Sequence, residues 1–322
     1  VYLSGLETPG GAGAGDRLAP GWYEPPWVPP AVRRHSAPPD TLPVGSPGKV
    51  GVLDLAYEEI GGRTELTGHY QKSPLQITRP LYHDPALRHM AHTIMIATGG
   101  GTLQGDRYRV DVSCGAGAFV NLTTQGATRV YRMEQDYATQ LVNLTAGPGA
   151  YLEYLPDTTI PFAGSRYYQR IGVTADPEAT VVLGETMLAG RLARGERHAY
   201  TAYCSDIEVH DPDGGLLFAD PLRLVPQEEG VTGLAVMDGF DALSSLYVVT
   251  GARPAQEVAD ALHEALAGTG LRTGASVLPG GRGAWARILG DTSPEVEEAF
   301  MRAWEAVRRL LLGVPAPDRR RA

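Results

Sequence analysis

The chain has 322 residues, with 28 Lys and Arg against 37 Asp and Glu, a formal charge of -9 at pH 7. That balance opposes nonspecific nucleic-acid binding, which works by neutralising phosphates, and the length suffices to bury a sizeable core. No run reaches the roughly 18 apolar residues of a membrane span, no secretory signal pattern opens the chain, and two cysteines, Cys114 and Cys204, fit a reducing compartment. A soluble cytoplasmic protein is the expectation.

Residues 1–48 form a Gly/Pro-rich arm without amphipathic periodicity, expected to be disordered because burial cannot offset its ordering entropy. Trp22, Tyr23 and Trp27 are its exception, suited to docking on a partner or, preferably, to packing on the main body. From Val50 to about Thr250 short alternating runs follow one another between turn signals. In "RYRVDVSC", Tyr108, Val110, Val112 and Cys114 share one face, the period of a half-buried strand. "HTIMIAT", "AFVNLTTQ", "TRVYRM", "YLEYL", "RYYQRIGV", "TVVLGETML" and "AYTAYCSDIEV" read alike, and Asp213-Gly214-Gly215 makes a hairpin turn. Many strands without intervening helices exclude a βαβ architecture and predict an antiparallel or coiled, β-helix-like all-β body.

Two amphipathic helices close the chain. The first, about 254–267, carries Val258, Ala261, Leu262, Ala265 and Leu266 on one stripe. The second, about 293–312, opens with Ser293 as N-cap and Pro294 behind it, and buries Val296, Phe300, Ala303, Val307 and Leu310. Its Arg308 and Arg309 complement the negative end of the dipole, and a basic tail, 314–322, follows.

Sequence-local catalytic signatures are absent. "IATGGGTLQGDR" resembles a phosphate loop only until Asp106 stands where that loop needs Lys, so nucleotide binding is excluded. His89 and His92 are expected at a surface or turn rather than as a metal pair, and Cys114 as a buried structural thiol. His198, Cys204 and His210 lie too far apart along one strand to share an ion. The informative pattern is charge within apolar strands. In "LGETMLAGRLARGE", Glu185, Arg191 and Glu196 interrupt a small and apolar run, and buried carboxylates need partners or water. Either a structural ion-pair cluster or a wet passage for a cation satisfies them. Asp106, presented by a glycine turn, is either a passage group or a turn cap bonding nearby amides.

The ordered stretches "SPLQITRPL" (73–81), "GGGTLQGD" (99–106), "TTQGATRVYR" (123–132), "YLEYLPDTTIPFAGSRY" (151–167) and "LGETMLAGRLARGE" (183–196) are similar to those of the UreD (UreH) family of urease accessory proteins. The resemblance covers residues 49–313 and leaves the arm outside. It implies a non-enzymatic maturation factor, a coiled β body with two helices. Such a factor binds the urease apoprotein with UreF- and UreG-like partners and helps deliver nickel, with no stably held cofactor and at most transient Ni(II). On that view Asp106, Glu185 and Glu196 are passage groups, organised by Arg132 and Arg191. Sparse carboxylates and water pass such an ion onward where a His/Cys cage would trap it. The competing expectations are an assembly-only chaperone and a carbohydrate-active enzyme using Glu185 and Glu196.

Overall fold

The computed structural model describes residue 17 and residues 19–36, 48–228, 230–234 and 236–318. Two one-turn helices, α1 (Pro20–Tyr23) and α2 (Pro30–Arg33), come first. The strands follow as β1 (Val50–Ile60), β2 (Arg63–Lys72), β3 (Leu75–Ile77), β4 (Ala91–Ala97), β5 (Arg107–Cys114), β6 (Phe119–Thr124) and β7 (Thr128–Val130). Next are β8 (Ala138–Ala146), β9 (Tyr151–Tyr154), β10 (Thr159–Pro161), β11 (Arg166–Ala175), β12 (Thr180–Leu188), β13 (Ala202–His210), β14 (Leu216–Leu224) and β15 (Ala242–Thr250). The chain ends with α3 (Ala255–Leu266), β16 (Arg272–Val277), β17 (Gly283–Gly290) and α4 (Ser293–Leu312).

The chain coils between two sheets. The first runs β14-β13-β11-β8-β5-β1-β2, the second β16-β17-β15-β12-β9-β6-β4-β3, with β7 and β10 beside its path. Each turn lays one strand in each sheet, so β1, β5, β8, β11 and β13 are parallel neighbours, as are β4, β6, β9 and β12. Antiparallel pairs close the flanks, among them β1 with β2 and β12 with β15. The body is therefore mainly β and solenoid-like, with each turn buried against its neighbours.

In-register stacking builds the core. Leu53, Val110, Val142, Ile171 and Ile207 form one inward row of the first sheet. Ala91, Val120, Leu152, Val181 and Val249 face them from the second. All ten are buried in one cluster, each side chain worth about 1.5–3 kcal/mol for the larger aliphatics. Alternate residues of the second sheet, such as Val182, Val248 and Ala286, point outward and are covered by Val258, Leu262, Val296, Phe300 and Val307 of α3 and α4. Gly184 lets α4 approach, since a Cβ there would stand 2.7 Å from the Phe300 ring. The cap of α4 is Thr292 rather than Ser293: Thr292 is extended and its side chain accepts from the Glu295 amide. Among the described residues no helix is long and apolar enough to cross a membrane.

Part of the arm is folded. Tyr23, Val28 and Val32 are buried, Trp27 meets Tyr168 edge-on at 6.3 Å, and the Arg109 guanidinium lies 3.9 Å from the Trp22 ring centroid. Residues 19–36 thus pack on the outer face of the first sheet, against the expectation of disorder, because charged residues such as Arg109 offer cation–π seats to the aromatics. The rest of that expectation falls on residues 1–16, 18 and 37–47, outside the described residues, as do 319–322 of the basic tail.

Candidate functional site

One step along the strands from the apolar rows, the inward face turns polar. Tyr108, Gln140, Gln169 and Ser205 align across β5, β8, β11 and β13. Opposite, Glu185, Ser245 and Arg287 align across β12, β15 and β17. The Glu185 Oε1 accepts from Gln169 Nε2 and from the Tyr203 hydroxyl, each at 3.2 Å. Burial pushes its carboxyl above the usual carboxylate range, Ser205 and Tyr203 oppose that, and Asp220 adds to it. Among the described residues no ion pair reaches Glu185; Arg287 is held instead by Asp220, at 2.7 Å, and by Ser245. Glu185 keeps some accessible surface although both sheets enclose it, which marks room beside it for a water-sized occupant.

From Glu185 a polar line runs both ways. Tyr203 meets Tyr167, with ring centroids 6.0 Å apart, and the Tyr167 hydroxyl donates to Gln140 Oε1 at 2.8 Å. Gln140 in turn lines a cleft of about 320 Å³ between the sheets, whose rim includes Gly100, Gly101, Thr102, Thr128 and Arg129. On the other side lie Asp220 and Arg287, both partly exposed. The cleft rim is knitted from loops of one side of the coil: Thr102 bridges Val130, β10 pairs with both β7 and β12, and Tyr131 packs on Phe162 at 4.9 Å. Gly101, with φ of 157°, is required there because a Cβ would stand 2.3 Å from the Tyr131 ring.

The five residues expected at a passage are not brought together. Asp106 is a buried clamp: its carboxylate accepts from the amides of Lys49 and Leu103, each at 2.8 Å, and from the Tyr108 hydroxyl at 2.7 Å. Burial raises its pKa and these three bonds oppose the rise. Glu196 pairs with Arg191 and accepts from the Ala163 amide at 3.0 Å, on the loop after β12. Arg191 lies 4.1 Å from the Phe162 ring centroid, and Arg132 is exposed beside Gly164. Only Glu185 lies in the inter-sheet line. Glu185 and Glu196 therefore do not face each other across a groove as a glycosidase pair would. His89 packs on Phe119, and among the described residues no cluster of three His, Cys, Asp or Glu is placed to hold a metal. Cys114 and Cys204 are buried and form no disulfide; burial pushes the Cys114 thiol up to about 12.

A second buried polar centre was not foreseen. On the outer face of the second sheet Glu153, Asp84 and Arg308 are 0%, 2% and 0% exposed. Arg308 of α4 donates to Glu153 Oε1 at 2.8 Å and to Asp84 Oδ2 at 2.7 Å. Glu153 also accepts from Trp304 Nε1 and Asn121 Nδ2, each at 2.8 Å. Burial raises the Asp84 carboxyl, but bonds from Arg308 and the Ala86 amide outweigh it and hold the pKa below the usual range. His92 stands beside this centre, its pKa lowered to about 4 chiefly by burial and then by His83. The signal available in sequence was a lone Glu inside "YLEYL"; its partner lies 155 residues further on.

The family model for the UreD urease accessory protein matches residues 49–322. The chain belongs to the UreD family. Among curated relatives, the urease accessory protein UreD 2 of Streptomyces griseus is 55% identical over 285 residues, 88% of this chain and 97% of that protein. UreD of Haloarcula marismortui is 38% identical across 86% of this chain and 92% of its own length. UreD of Cenarchaeum symbiosum is 36% identical across 87% of this chain and 99% of its own length. As a UreD protein the chain is an accessory factor with a role in urease maturation.

Proposed function

We propose that this UreD chain is a non-enzymatic cytoplasmic subunit that binds the urease apoprotein with UreF- and UreG-like partners and lets nickel cross its body along the inter-sheet polar line. One observation carries the reading: Glu185, held between the sheets with no ion pair among the described residues, on a polar line that joins an open cleft to the partly exposed Asp220. A carboxyl whose pKa burial raises and whose hydrogen-bond donors are uncharged gives a cation a foothold by releasing its proton, and it holds weakly because its other ligands are amide, hydroxyl and water. Tyr203, Gln169, Ser205 and Gln140 supply those oxygen donors in sequence along the line. Asp106, Arg132, Arg191 and Glu196 frame this route: Asp106 fixes the turn at the start of β5, and the Arg191–Glu196 pair fastens the loop after β10 to the loop after β12.

The test is Glu185→Gln, which keeps the side-chain shape and removes the charge. Urease activation in a strain carrying only the variant should fall toward that of a strain lacking the chain, while the variant still copurifies with its accessory partners and the apoprotein. Full activation with intact assembly would leave an assembly-only chaperone and remove the passage.

A further inference from the structure

Among the described residues His83 and His92 bring two imidazoles together, His92 on the opposite face of the second sheet from Glu185. Leu81 and His92 exchange two backbone hydrogen bonds of 2.8 Å in an antiparallel bridge. His83, two residues on from Leu81, is therefore the diagonal neighbour of His92 on the same face. The rings approach to 4.4 Å between centroids at an interplanar angle of 52°. His92 is 3% exposed and its Nε2 is buried with no hydrogen-bond partner. A satisfied core histidine would not leave that atom bare, since an unpaired buried nitrogen costs about 1–3 kcal/mol.

Both rings line a cavity of about 30 Å³ that also touches Asn121, Thr123 and Asp318. That volume accommodates roughly one or two water-sized occupants. Next to it, Glu153 and Asp84 set two negative charges against the one positive charge of Arg308, leaving a local excess that favours a cation.

We propose that His83 and His92 are a two-imidazole site for a late first-row divalent cation, separate from the inter-sheet line. Imidazole nitrogens select such ions over magnesium or calcium, which prefer oxygen. Among the described residues no third His, Cys, Asp or Glu completes a cage, so the other coordination positions belong to water and the ion exchanges.

Titration of the purified full chain with Cu(II) alone, read by electron paramagnetic resonance, tests this because the nitrogen hyperfine pattern counts coordinated imidazoles. The expected result is a signal at one equivalent with two nitrogens. His83→Gln and His92→Gln should each weaken it by about a hundredfold, at least what losing a supporting outer group costs, and reduce the pattern to one nitrogen. His69→Gln, at an exposed position on β2, should leave it unchanged. Should His92→Gln misfold by circular dichroism, the more exposed His83→Gln decides. An unaltered spectrum in His83→Gln, or no stoichiometric signal in the parent chain, would overturn the site and leave a stacked pair.

Discussion

Two glutamates sit on neighbouring strands and are treated in opposite ways. Glu153 on β9 points outward under α4, where Arg308, Trp304 and Asn121 neutralise and bind it. Glu185 on β12 points between the sheets and receives only uncharged donors. A buried pair that is fully bonded resists disruption, because removing one member strands the other. A carboxyl bonded only by uncharged donors is instead disfavoured in its ionised form. The comparison separates a rivet from a loosely held carboxyl, and it places them on the two faces of one sheet.

The largest expected effect strikes the rivet. Arg308→Ala strands two buried carboxylates and should lower unfolding stability by about 3–5 kcal/mol, measured by denaturant unfolding of the purified chain. A loss no larger than that of an exposed arginine would show that the cluster does not secure α4. Asp84 sharpens the point through pH. Its carboxyl is held below the ordinary value of 3.8, so its contribution is present above that pH and is lost as pH falls through the lower, folded value.

Glu185 should behave with the opposite sign. Its folded pKa lies above the ordinary 4.5, so its contribution is complete below that pH and disappears as pH rises through the folded value. Glu185→Gln should therefore be more stable than the parent at neutral pH, the gap closing below about pH 4.5. A variant less stable at neutral pH would mean that the carboxylate is structural, like Glu153.

Smaller effects belong to the frame. Asp106→Ala removes an acceptor for two amides and a phenol, and should cost about 1–3 kcal/mol in thermal or chemical unfolding. Trp22→Ala should cost about 0.5–1 kcal/mol and speed hydrogen exchange in residues 19–36, where Arg109 seats the ring. Arg191→Ala, at a partly exposed pair, should barely move the unfolding midpoint.

Much of the architecture is legible in the sequence. Period-two runs such as "RYRVDVSC" and "RYYQRIGV" became β5 and β11, and the two amphipathic stripes became α3 and α4. Which strands would neighbour one another was not legible, because parallel stacking joins residues about 30 positions apart, as Arg107 with Thr139. The charge in "LGETML" marked Glu185 because a carboxylate among apolar neighbours stands out. Gln140, Gln169 and Ser205 did not stand out, since uncharged polar residues recur on any strand, and only the register aligns them. The partner of Arg308 was hidden for a similar reason: its position near a helix C-terminus is explained by the dipole alone, and nothing local announces that Glu153 waits beneath it. The arm's partial order depended on the charged outer face of a sheet that the arm itself cannot specify.

The coiled topology has a consequence for biogenesis. Tyr108, Gln140, Gln169 and Ser205 each come from a different winding, β5, β8, β11 and β13, and Glu185 faces them from β12. A nascent polypeptide therefore cannot complete this polar row until Ser205 has left the ribosome, and α4, the rivet's carrier, emerges about a hundred residues later still. The Arg308 ion pairs with Asp84 and Glu153 are therefore among the latest contacts to become available as the chain is made.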